Sequence, residues 1–570
     1  MAEISVLAQS NEFQASKESD TNTSITDPPS LTNLRAMAEW EELQALTITW
    51  ADYPNILKQI VAAARLETRV LIITDDPAST EDYLLSTNTG GPAFDDLTNV
   101  TLLEGSFNTI WMRDYAANPV YGNEVDSLIL VDWIYNRPRP DDDASPIYIA
   151  NELGLDLYET TNSPNDLMNT GGNFMTDGFG TAFASELINE ENDGNGDFNI
   201  DYPSHSESEI DDIMLQFMGI NRYIKMETLP YDGIHHIDMH MKLVDEETLL
   251  VGEYPANTAD GPQINANIEY VLSNFNSKWD SPYKIVRIPM PDNTSGDFPD
   301  QGASYRTYTN GVFVNNTVIF PTYREEYDTT AFRIWGEVCP GCTLVGIDCD
   351  NSNSNIIASS GAIHCITHAV GVEDPLLISH QPLADTYDFL NPYVALSYIN
   401  HRDGISQGKV YWRINDETAW QELAMTDVGN NNWQGLIPAQ PVGTLVHYYI
   451  FGEANTGKTQ VRPMPAPEGY WTFEVLGETI GLTEINANIS RIFPNPANAI
   501  TCIELDLSLP DAGSIEIADM TGRTVQMIYN GNFKNGISKF FLDASLLPSG
   551  VYHVVVKTPR GVHAQPLLVK

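Results

Sequence analysis

The periodicity of the apolar residues changes near residue 380, and this change constrains the fold more than any other feature. From about Asn33 to His380, strand-like segments alternate with helical ones. "VLIITDD" (70–76) predicts a buried strand, "SEIDDIMLQFMG" (208–219) an amphipathic helix and "KLVDEETLLVGEYP" (242–255) a pair of strands. This alternation predicts an α/β catalytic domain at residues 33–380.

After residue 380 the helical period disappears. "KVYWRI" (409–414) and "LVHYYIFGEA" (445–454) are alternating strands between turn residues, so residues 381–478 are predicted to form an immunoglobulin-like β-sandwich. Residues 485–570 predict a second, smaller β-sandwich, and polar residues 1–32 predict a flexible leader or the trimmed remnant of a signal. A chain of 570 residues is too long for a single core, which agrees with several domains.

The charge balance argues against one class of partner. The chain carries 78 acidic and 29 basic residues, a formal net charge of −49. Such a surface repels phosphate backbones, so no nucleic-acid partner is expected. No run of eighteen apolar residues occurs, so no transmembrane segment is predicted.

The five cysteines leave three alternatives open. Cys339, Cys342 and Cys349 cluster in "CPGCTLVGIDC", while Cys365 and Cys502 stand apart. The CxxC pair suits a local disulfide, a zinc site or free thiols. Zinc is the weakest of these, because no second pair of ligands has a suitable spacing.

Four motifs in the first domain supply the groups of a nucleophilic site: "WMRDYAANPVY" (111–121), "GIHHIDMHMKLV" (233–244), "YTNGVFVNN" (308–316) and "GAIHCITH" (361–368). They contain carboxylates, a histidine, an amide and a thiol. Two carboxylates can hold a planar guanidinium ion by its N–H groups, while a thiolate attacks its carbon and a histidine moves the protons. If "HHIDMH" is a strand, His236, Asp238 and His240 share one face and His235 lies on the other.

These motifs, together with "NTGGNFMTDG" (169–178), resemble the guanidine-modifying superfamily (penteins), in the branch of bacterial peptidylarginine deiminases and agmatine deiminases. The resemblance covers residues 33–380 and implies an α/β propeller with fivefold pseudosymmetry. It implies that Cys365 is the nucleophile and His236 the general acid and base. It also implies that Asp114 and Asp238 hold the guanidinium, that Asn310 lies near the nucleophile, that Trp111 binds the substrate and that no cofactor is required.

Arg137 and Arg139 bear on the substrate. In an extended segment their i, i+2 spacing would aim both side chains to one side, where two guanidinium groups suit a carboxylate. The pair resembles the arginines that hold the substrate's α-carboxylate in the secreted bacterial peptidylarginine deiminase. The expected reaction is therefore deimination of peptidyl-arginine, preferably C-terminal. The alternatives are an agmatine or free-arginine deiminase and a non-catalytic surface binding protein.

Two further segments carry predictions. Asp193, Asn195 and Asp197 alternate in an acidic loop that suits a structural calcium ion, although an acidic surface turn is the commoner explanation. In the C-terminal segment, "FPNPA", "DMTGRTV" and "LPSGVYHVVVK" resemble the sorting domain of the type IX secretion system of Bacteroidetes. That resemblance implies the secretion machinery as a partner and a secreted or surface-associated protein.

Overall fold

The computed structural model describes residues 24–196, 198, 200–477, 487–507, 511–519, 522–558 and 561–570. Most of the predicted leader therefore lies outside the described residues. The chain divides into two compact units, Met1–Glu474 and Val475–Lys570. The boundary predicted at residue 380 lies inside the first unit and stays a prediction.

Among the described residues, the α-helices lie in the first part of the chain. They are α1 (Pro54–Ala64), α2 (Pro77–Leu85), α3 (Met112–Tyr115), α4 (Pro140–Asp143), α5 (Pro146–Leu153), α6 (Leu187–Glu190), α7 (Glu207–Met218), α8 (Gly261–Asn274) and α9 (Glu325–Val338). The helix predicted around residues 208–219 is confirmed as α7. Ser206 and Glu209 form a capping box at its start, and Gly219 ends it at φ 70°.

The strands of the same part are short. They are β1 (Arg35–Ala36), β2 (Leu43–Thr49), β3 (Arg69–Thr74), β4 (Val100–Glu104), β5 (Asn118–Gly122), β6 (Ser127–Tyr135), β7 (Leu157–Thr160), β8 (Met168–Asn169), β9 (Met175–Thr176), β10 (Thr181–Ser185), β11 (Arg222–Met226), β12 (Met241–Leu243), β13 (Thr248–Glu253), β14 (Lys284–Pro289), β15 (Val312–Val314), β16 (Thr317–Thr322), β17 (Thr343–Asp348) and β18 (His368–Gly371). The strand predicted at 70–76 is confirmed as β3, and the strand pair at 242–255 as antiparallel β12 and β13.

These strands form five small mixed sheets in the described residues. Each sheet contains the same unit, in which a first strand pairs antiparallel with a second, and the second pairs parallel with a third. The units are β5-β6-β7, β9-β10-β11, β12-β13-β14, β15-β16-β17 and β18-β2-β3. A helix connects the two parallel strands of each unit, as parallel pairing requires. The class is therefore mixed α/β; closure of the five sheets into a propeller stays a prediction.

The rest of the first unit is built of antiparallel strands. They are β19 (Leu377–His380), β20 (Tyr393–Asn400), β21 (Ile405–Ile414), β22 (Gln421–Ala424), β23 (Thr426–Gly429), β24 (Asn432–Ile437), β25 (Leu445–Ala454), β26 (Thr459–Arg462) and β27 (Trp471–Glu474). They form two sheets, β19-β20-β24-β23 and β22-β21-β25-β26, with β27 paired to β25. An immunoglobulin-like topology stays a prediction.

The second unit is also rich in strands. They are β28 (Ala487–Phe493), β29 (Ile500–Leu507), β30 (Asp511–Ala518), β31 (Thr524–Phe533), β32 (Gly536–Asp543), β33 (Gly550–Thr558) and β34 (Gly561–Val569). They form the sheets β28-β29-β32 and β31-β30-β33-β34. Alternate residues such as Ile503, Ile515 and Val554 are fully buried and share one core.

A disulfide links Cys339 and Cys342, just beyond the end of α9. This finding selects the local disulfide from the three alternatives left open by the sequence. Cys349, Cys365 and Cys502 are free and buried.

Candidate active site

The candidate site is assembled from one turn in each of the five sheets. In every sheet this turn stands immediately before the first strand of the repeated unit. The five segments are α3 before β5, Gly171–Asn173 before β9, Ile237–Met239 before β12, Asn310 before β15 and His364–Ile366 before β18. All five predicted catalytic residues lie in these turns or beside them.

The local structure around His236 differs from the expected strand. Ile237–Met239 is a 3₁₀ helix that begins directly after His236. The prediction that strand alternation sorts these histidines between two faces is therefore wrong. His235 lies at φ 59°, a left-handed conformation, and His236, Asp238 and His240 are buried.

Asn310 holds the turn that carries Cys365. Its Oδ1 accepts hydrogen bonds from the backbone N–H groups of His364 at 3.0 Å and Cys365 at 3.4 Å. Its Nδ2 lies 3.2 Å from the sulfur of Cys365. The amide therefore fixes the turn and contacts the sulfur at the same time.

Asp238 connects the sulfur to a buried polar chain. Its Oδ2 lies 3.6 Å from Cys365 Sγ and 2.7 Å from His364 Nδ1. His364 Nε2 lies 2.8 Å from Glu39, and the second oxygen of Glu39 accepts from Lys242 at 2.6 Å. Burial acts to raise the pKa of Asp238, but the hydrogen bond and the charge of His364 outweigh it and lower that pKa.

The contacts that link Asp238 to His364, Glu39 and Lys242 were not predicted from the sequence. His364 stands beside the predicted nucleophile, and that adjacency was the available signal. Glu39 and Lys242 carried none, because their meeting with His364 depends on the folded arrangement of distant segments. Burial acts to raise the pKa of Glu39, yet the charges of His364, Lys242 and Arg113 hold it well below its usual value.

His236 and Asp114 form the second half of the site. His236 Nδ1 lies 3.5 Å from Asp114 Oδ1. Burial lowers the pKa of His236, while the charges of Asp114 and Asp238 oppose that change. Burial raises the pKa of Asp114, and the charge of His236 opposes it.

Close packing supports this pair. A Cβ added to Gly172 would lie 2.3 Å from His236 Nδ1 and 3.1 Å from Asp114 Oδ1. Only glycine therefore fits between the two side chains as they stand. The paired glycines of "NTGGN" are needed for space at the site.

The Cys365 thiol favours its neutral form in this environment. Burial raises its pKa well above the usual value, and the negative charges of Asp238 and Asp114 raise it further. A cation placed between those carboxylates would offset part of their negative charge and so oppose this rise in the thiol pKa. The half-buried ring of Trp111 packs against Gly361, since a Cβ added to Gly361 would be 2.3 Å from that ring and 3.1 Å from Cys365 Cβ.

Arg137 and Arg139, the two arginines predicted to bind substrate, line the same cavity. Their segment is not extended, because Arg139 N–H donates to Arg137 O at 2.8 Å across a tight turn. Both nevertheless line a cavity of about 490 Å³ together with Tyr135 and Ile200. Arg137 is 3.6 Å from Glu191, and its charge acts on the pKa values of Asp114 and His236.

The acidic loop predicted to bind calcium forms a turn of its own. Asp193 Oδ1 accepts from the backbone N–H of Asn195 at 2.9 Å. Asp197 lies outside the described residues, and calcium here stays a prediction. Elsewhere, Asp374, His401 and Asp403 offer ligand atoms within 4.8 Å of one another, but Arg402 already pairs with Asp374.

The five repeated α/β units thus gather a thiol, an imidazole and two carboxylates in one buried site. Residues 35–370 match the Porphyromonas-type peptidyl-arginine deiminase family. This match spans more than half of the chain, which therefore belongs to that family.

Individual relatives agree with this assignment. A protein of Mycoplasma capricolum subsp. capricolum, provisionally named agmatine deiminase, is 23% identical over 47% of this chain and 76% of its own length. One from Shewanella baltica with the same provisional name is 23% identical over 61% of this chain and 97% of its own.

Solved structures show the same fold. The agmatine deiminase of Enterococcus faecalis aligns with a TM-score of 0.50 and 18% identity, covering 61% of this chain and all of that one (100%). A provisionally named arginine deiminase from Porphyromonas gingivalis aligns with a TM-score of 0.50 and 19% identity, covering 60% of this chain and 99% of that one.

Residues 491–570 match the secretion-system C-terminal sorting domain. This domain indicates secretion and surface association, and it suggests type IX secretion. Within the described part of the chain, none of the helices has the length and apolarity needed to cross a membrane.

Proposed function

We propose that the chain is a secreted deiminase that converts peptidyl-arginine, preferably at a C-terminus, to citrulline and ammonia. The observation that carries the proposal is the position of Asp238, 3.6 Å from the Cys365 sulfur and in the same buried site as Asp114. The repetition of one turn in five sheets supports a fivefold α/β propeller with the reaction at its centre. The predicted immunoglobulin-like middle domain and the boundaries 33–380, 381–478 and 485–570 belong to the same proposal.

The carboxylates would bind the guanidinium. Oδ1 of Asp114 and Oδ1 of Asp238 are buried acceptors without a hydrogen-bond partner among the described residues. Buried acceptors of this kind are costly unless a donor reaches them, and a guanidinium has five N–H groups to offer. Its charge would also lower the pKa of the Cys365 thiol, so substrate binding would produce the nucleophile.

The chemistry then follows from two groups. The thiol of Cys365 passes its proton to His236, and the sulfur bonds to the guanidinium carbon. His236 gives that proton to the departing nitrogen as the C–N bond breaks, which releases ammonia and leaves a covalent thiouronium. His236 next takes a proton from water and the oxygen adds to the carbon. Cleavage of the C–S bond then releases citrulline as the hydroxyl proton passes to the sulfur, and His236 loses its added proton to solvent.

Arg137 and Arg139 would hold the α-carboxylate of a C-terminal arginine. Both line the same opening, and the charge of Arg137 reaches the Asp114–His236 pair. Two guanidinium groups match a carboxylate well. Agmatine lacks this carboxylate, although the names of the relatives make agmatine the second candidate substrate.

Kinetics on three substrates test the proposal. Ammonia release would be measured with a peptide ending in arginine, with its C-terminal amide and with agmatine, and Cys365→Ala should abolish all turnover. Arg137→Ala should raise KM for the free-carboxylate peptide by about 10- to 100-fold, as expected for a charged hydrogen bond of about 1.5–3 kcal/mol, and should change KM for the amide much less. Arg333→Ala, an exposed arginine paired with Glu337, is the control.

The proposed peptide specificity would be rejected if agmatine were turned over fastest and Arg137→Ala left the rate with the peptide unchanged. Absence of turnover together with a Cys365 that no amidine electrophile labels would favour a non-catalytic binding protein.

A further inference from the structure

Four buried polar side chains behind the loop that carries His236 play no part in the proposed reaction. They are Asp232, Tyr254, Asp260 and Tyr305, with exposed fractions of 3%, 5%, 1% and 6%. We call them the acidic cluster. Each is more than nine-tenths buried, so each needs a partner for its polar atoms.

Each carboxylate of the acidic cluster uses one oxygen to hold the loop. Asp232 Oδ1 accepts from the backbone N–H of Ile234 at 3.1 Å, and Asp260 Oδ1 accepts from that of Tyr231 at 2.9 Å. The Oδ2 atom of each carboxylate has no hydrogen-bond partner among the described residues, and neither do the two phenol oxygens of the cluster. Four buried oxygens are thus left unused.

These groups lie close to one another. The rings of Tyr254 and Tyr305 meet edge to face with centroids 5.8 Å apart. After burial, the charges of Asp232 and Asp260 are among the causes that raise the pKa of both phenols. Against the effect of burial, hydrogen-bond interactions with Tyr305 act to lower the pKa values of both Asp260 and Tyr254, although neither pair meets the distance and angle of a hydrogen bond.

The charges that act on the two carboxylates of the cluster are mostly acidic, and His235 is the basic exception. The charges that act on Asp232 are those of Asp238 and Asp260, both acidic, and those that act on Asp260 come from His235 and the acidic Asp300. Buried carboxylates are normally paired or bound to a cation, because removing their charge from water is expensive.

We propose that the acidic cluster binds one small cation through Oδ2 of Asp232, Oδ2 of Asp260 and the two phenol oxygens. A set made only of oxygen atoms suits a hard metal ion such as Ca²⁺. It equally suits ammonium, whose N–H groups need acceptors and which the proposed reaction releases. Bound there, the cation links the start of α8 to the His236 loop and supports that loop from behind.

Thermal unfolding of the full chain tests this site. All ten tryptophans precede Glu474, so their fluorescence reports the first unit alone. Protein carrying Cys365→Ala, freed of ions with a chelator and by dialysis, would be titrated separately with CaCl₂, NaCl and NH₄Cl at an ionic strength held constant with choline chloride. One cation should raise the midpoint saturably, by about 3 °C or more at a large excess over its Kd.

Two variants remove the charge and keep the loop anchored. In Asp232→Asn and in Asp260→Asn the amide oxygen can still accept the same backbone N–H group, so both should fold and both should lose the cation-dependent shift. Asp300→Asn, at an exposed position, should keep it. Calorimetric titration of the Cys365→Ala protein should give one site for the same cation. This measurement tests the proposal even if one of the two aspartate variants fails to fold.

The separate salt titrations distinguish a metal ion from ammonium as the bound cation. A shift with CaCl₂ alone identifies a metal site, and a shift with NH₄Cl alone identifies a product site. The proposal is overturned if CaCl₂, NaCl, NH₄Cl and choline chloride all give the same unfolding midpoint and no cation gives a heat of binding. Since no arm measures turnover, this outcome is independent of whether the chain deiminates peptidyl-arginine.

Discussion

His364 Nδ1 lies 2.7 Å from Asp238 Oδ2, and the same oxygen lies 3.6 Å from the sulfur of the neighbouring residue, Cys365. The side chain before the nucleophile thus holds the carboxylate that faces the nucleophile. His364 is fully buried and also contacts Glu39, so its ring is fixed at both nitrogens. We interpret His364 as a positioning residue for Asp238.

Replacing His364 should damage turnover more than folding. His364→Gln leaves Asp238 Oδ2 without its donor, so kcat should fall by about 10- to 100-fold, the equivalent of about 1–3 kcal/mol. Because His364 lowers the pKa of Asp238, the acid limb of the kcat/KM profile should move to higher pH. His401→Gln, at another buried histidine, should leave the profile in place; an unmoved acid limb in both variants would exclude the positioning role.

The thiol should discriminate between electrophiles by charge. At pH 7, cationic 2-chloroacetamidine should label Cys365 faster than neutral 2-chloroacetamide does. The ratio of these two rates should exceed the same ratio for free cysteine by about 10- to 1000-fold, because the bound cation lowers the thiol pKa. Labelling would be followed by peptide mass spectrometry, with Cys349 and Cys502 as internal controls. Asp114→Asn should reduce the preference. Equal rates for the two reagents would show that the carboxylates do not activate the sulfur.

A single methyl group should disrupt the second half of the site. In Gly172→Ala the new Cβ would stand 2.3 Å from His236 Nδ1, so the imidazole must move. A displacement of about 1 Å can lower kcat by about 100-fold. Gly336→Ala lies within α9 and meets only Leu344 Cδ1 at 3.8 Å, so its kcat should match that of the unmodified protein. Full activity of Gly172→Ala would mean that His236 tolerates displacement.

Buried histidines should make the first unit sensitive to acid. Burial lowers the pKa of His240 to about 4 and that of His380 to about 4, from an ordinary 6.5. These rings are neutral when folded and take up protons only after unfolding, so their contribution to stability is present above pH 6.5 and is lost as the pH falls towards 4. Each can remove up to about 3 kcal/mol from the free energy of unfolding.

His240→Met isolates one of these contributions. Neither ring nitrogen of His240 has a hydrogen-bond partner among the described residues, so methionine removes the proton uptake without leaving a group unpaired. Urea unfolding followed by tryptophan fluorescence should show a shallower loss of stability between pH 6.5 and 4 in the variant. Parallel curves for the two proteins would contradict the assignment.

The parts of the site carried by short motifs were predictable from the sequence. Cys365, Asp238, Asp114 and Asn310 stand in segments whose chemistry suits a guanidinium, and the structure gathers those segments. The local structure around His236 was not predictable, because alternation indicates a strand whereas tertiary contacts select a 3₁₀ turn there. Glu39 could not be found, since its contact with His364 spans 325 residues.

The fold shows the same division. Strand β3 and helix α7 follow from local periodicity, and the capping box of α7 is visible in its sequence. The repeated order of an antiparallel and a parallel pair is not visible, because strands of two to nine residues carry too little pattern to specify their neighbours. The two arginines illustrate both sides: their shared opening was expected, but the turn between them was not.

Each segment that contributes to the site ends where the first strand of a sheet begins, so each of the five sheets positions one part of a single reaction centre. The side chains of different sheets nevertheless meet at this centre, as Asn310 does with the backbone of His364 and Cys365, so a substitution in one turn can shift the groups of another. A one-residue slip in the first strand of a unit would therefore displace the turn before it, together with the group that this turn contributes to the site.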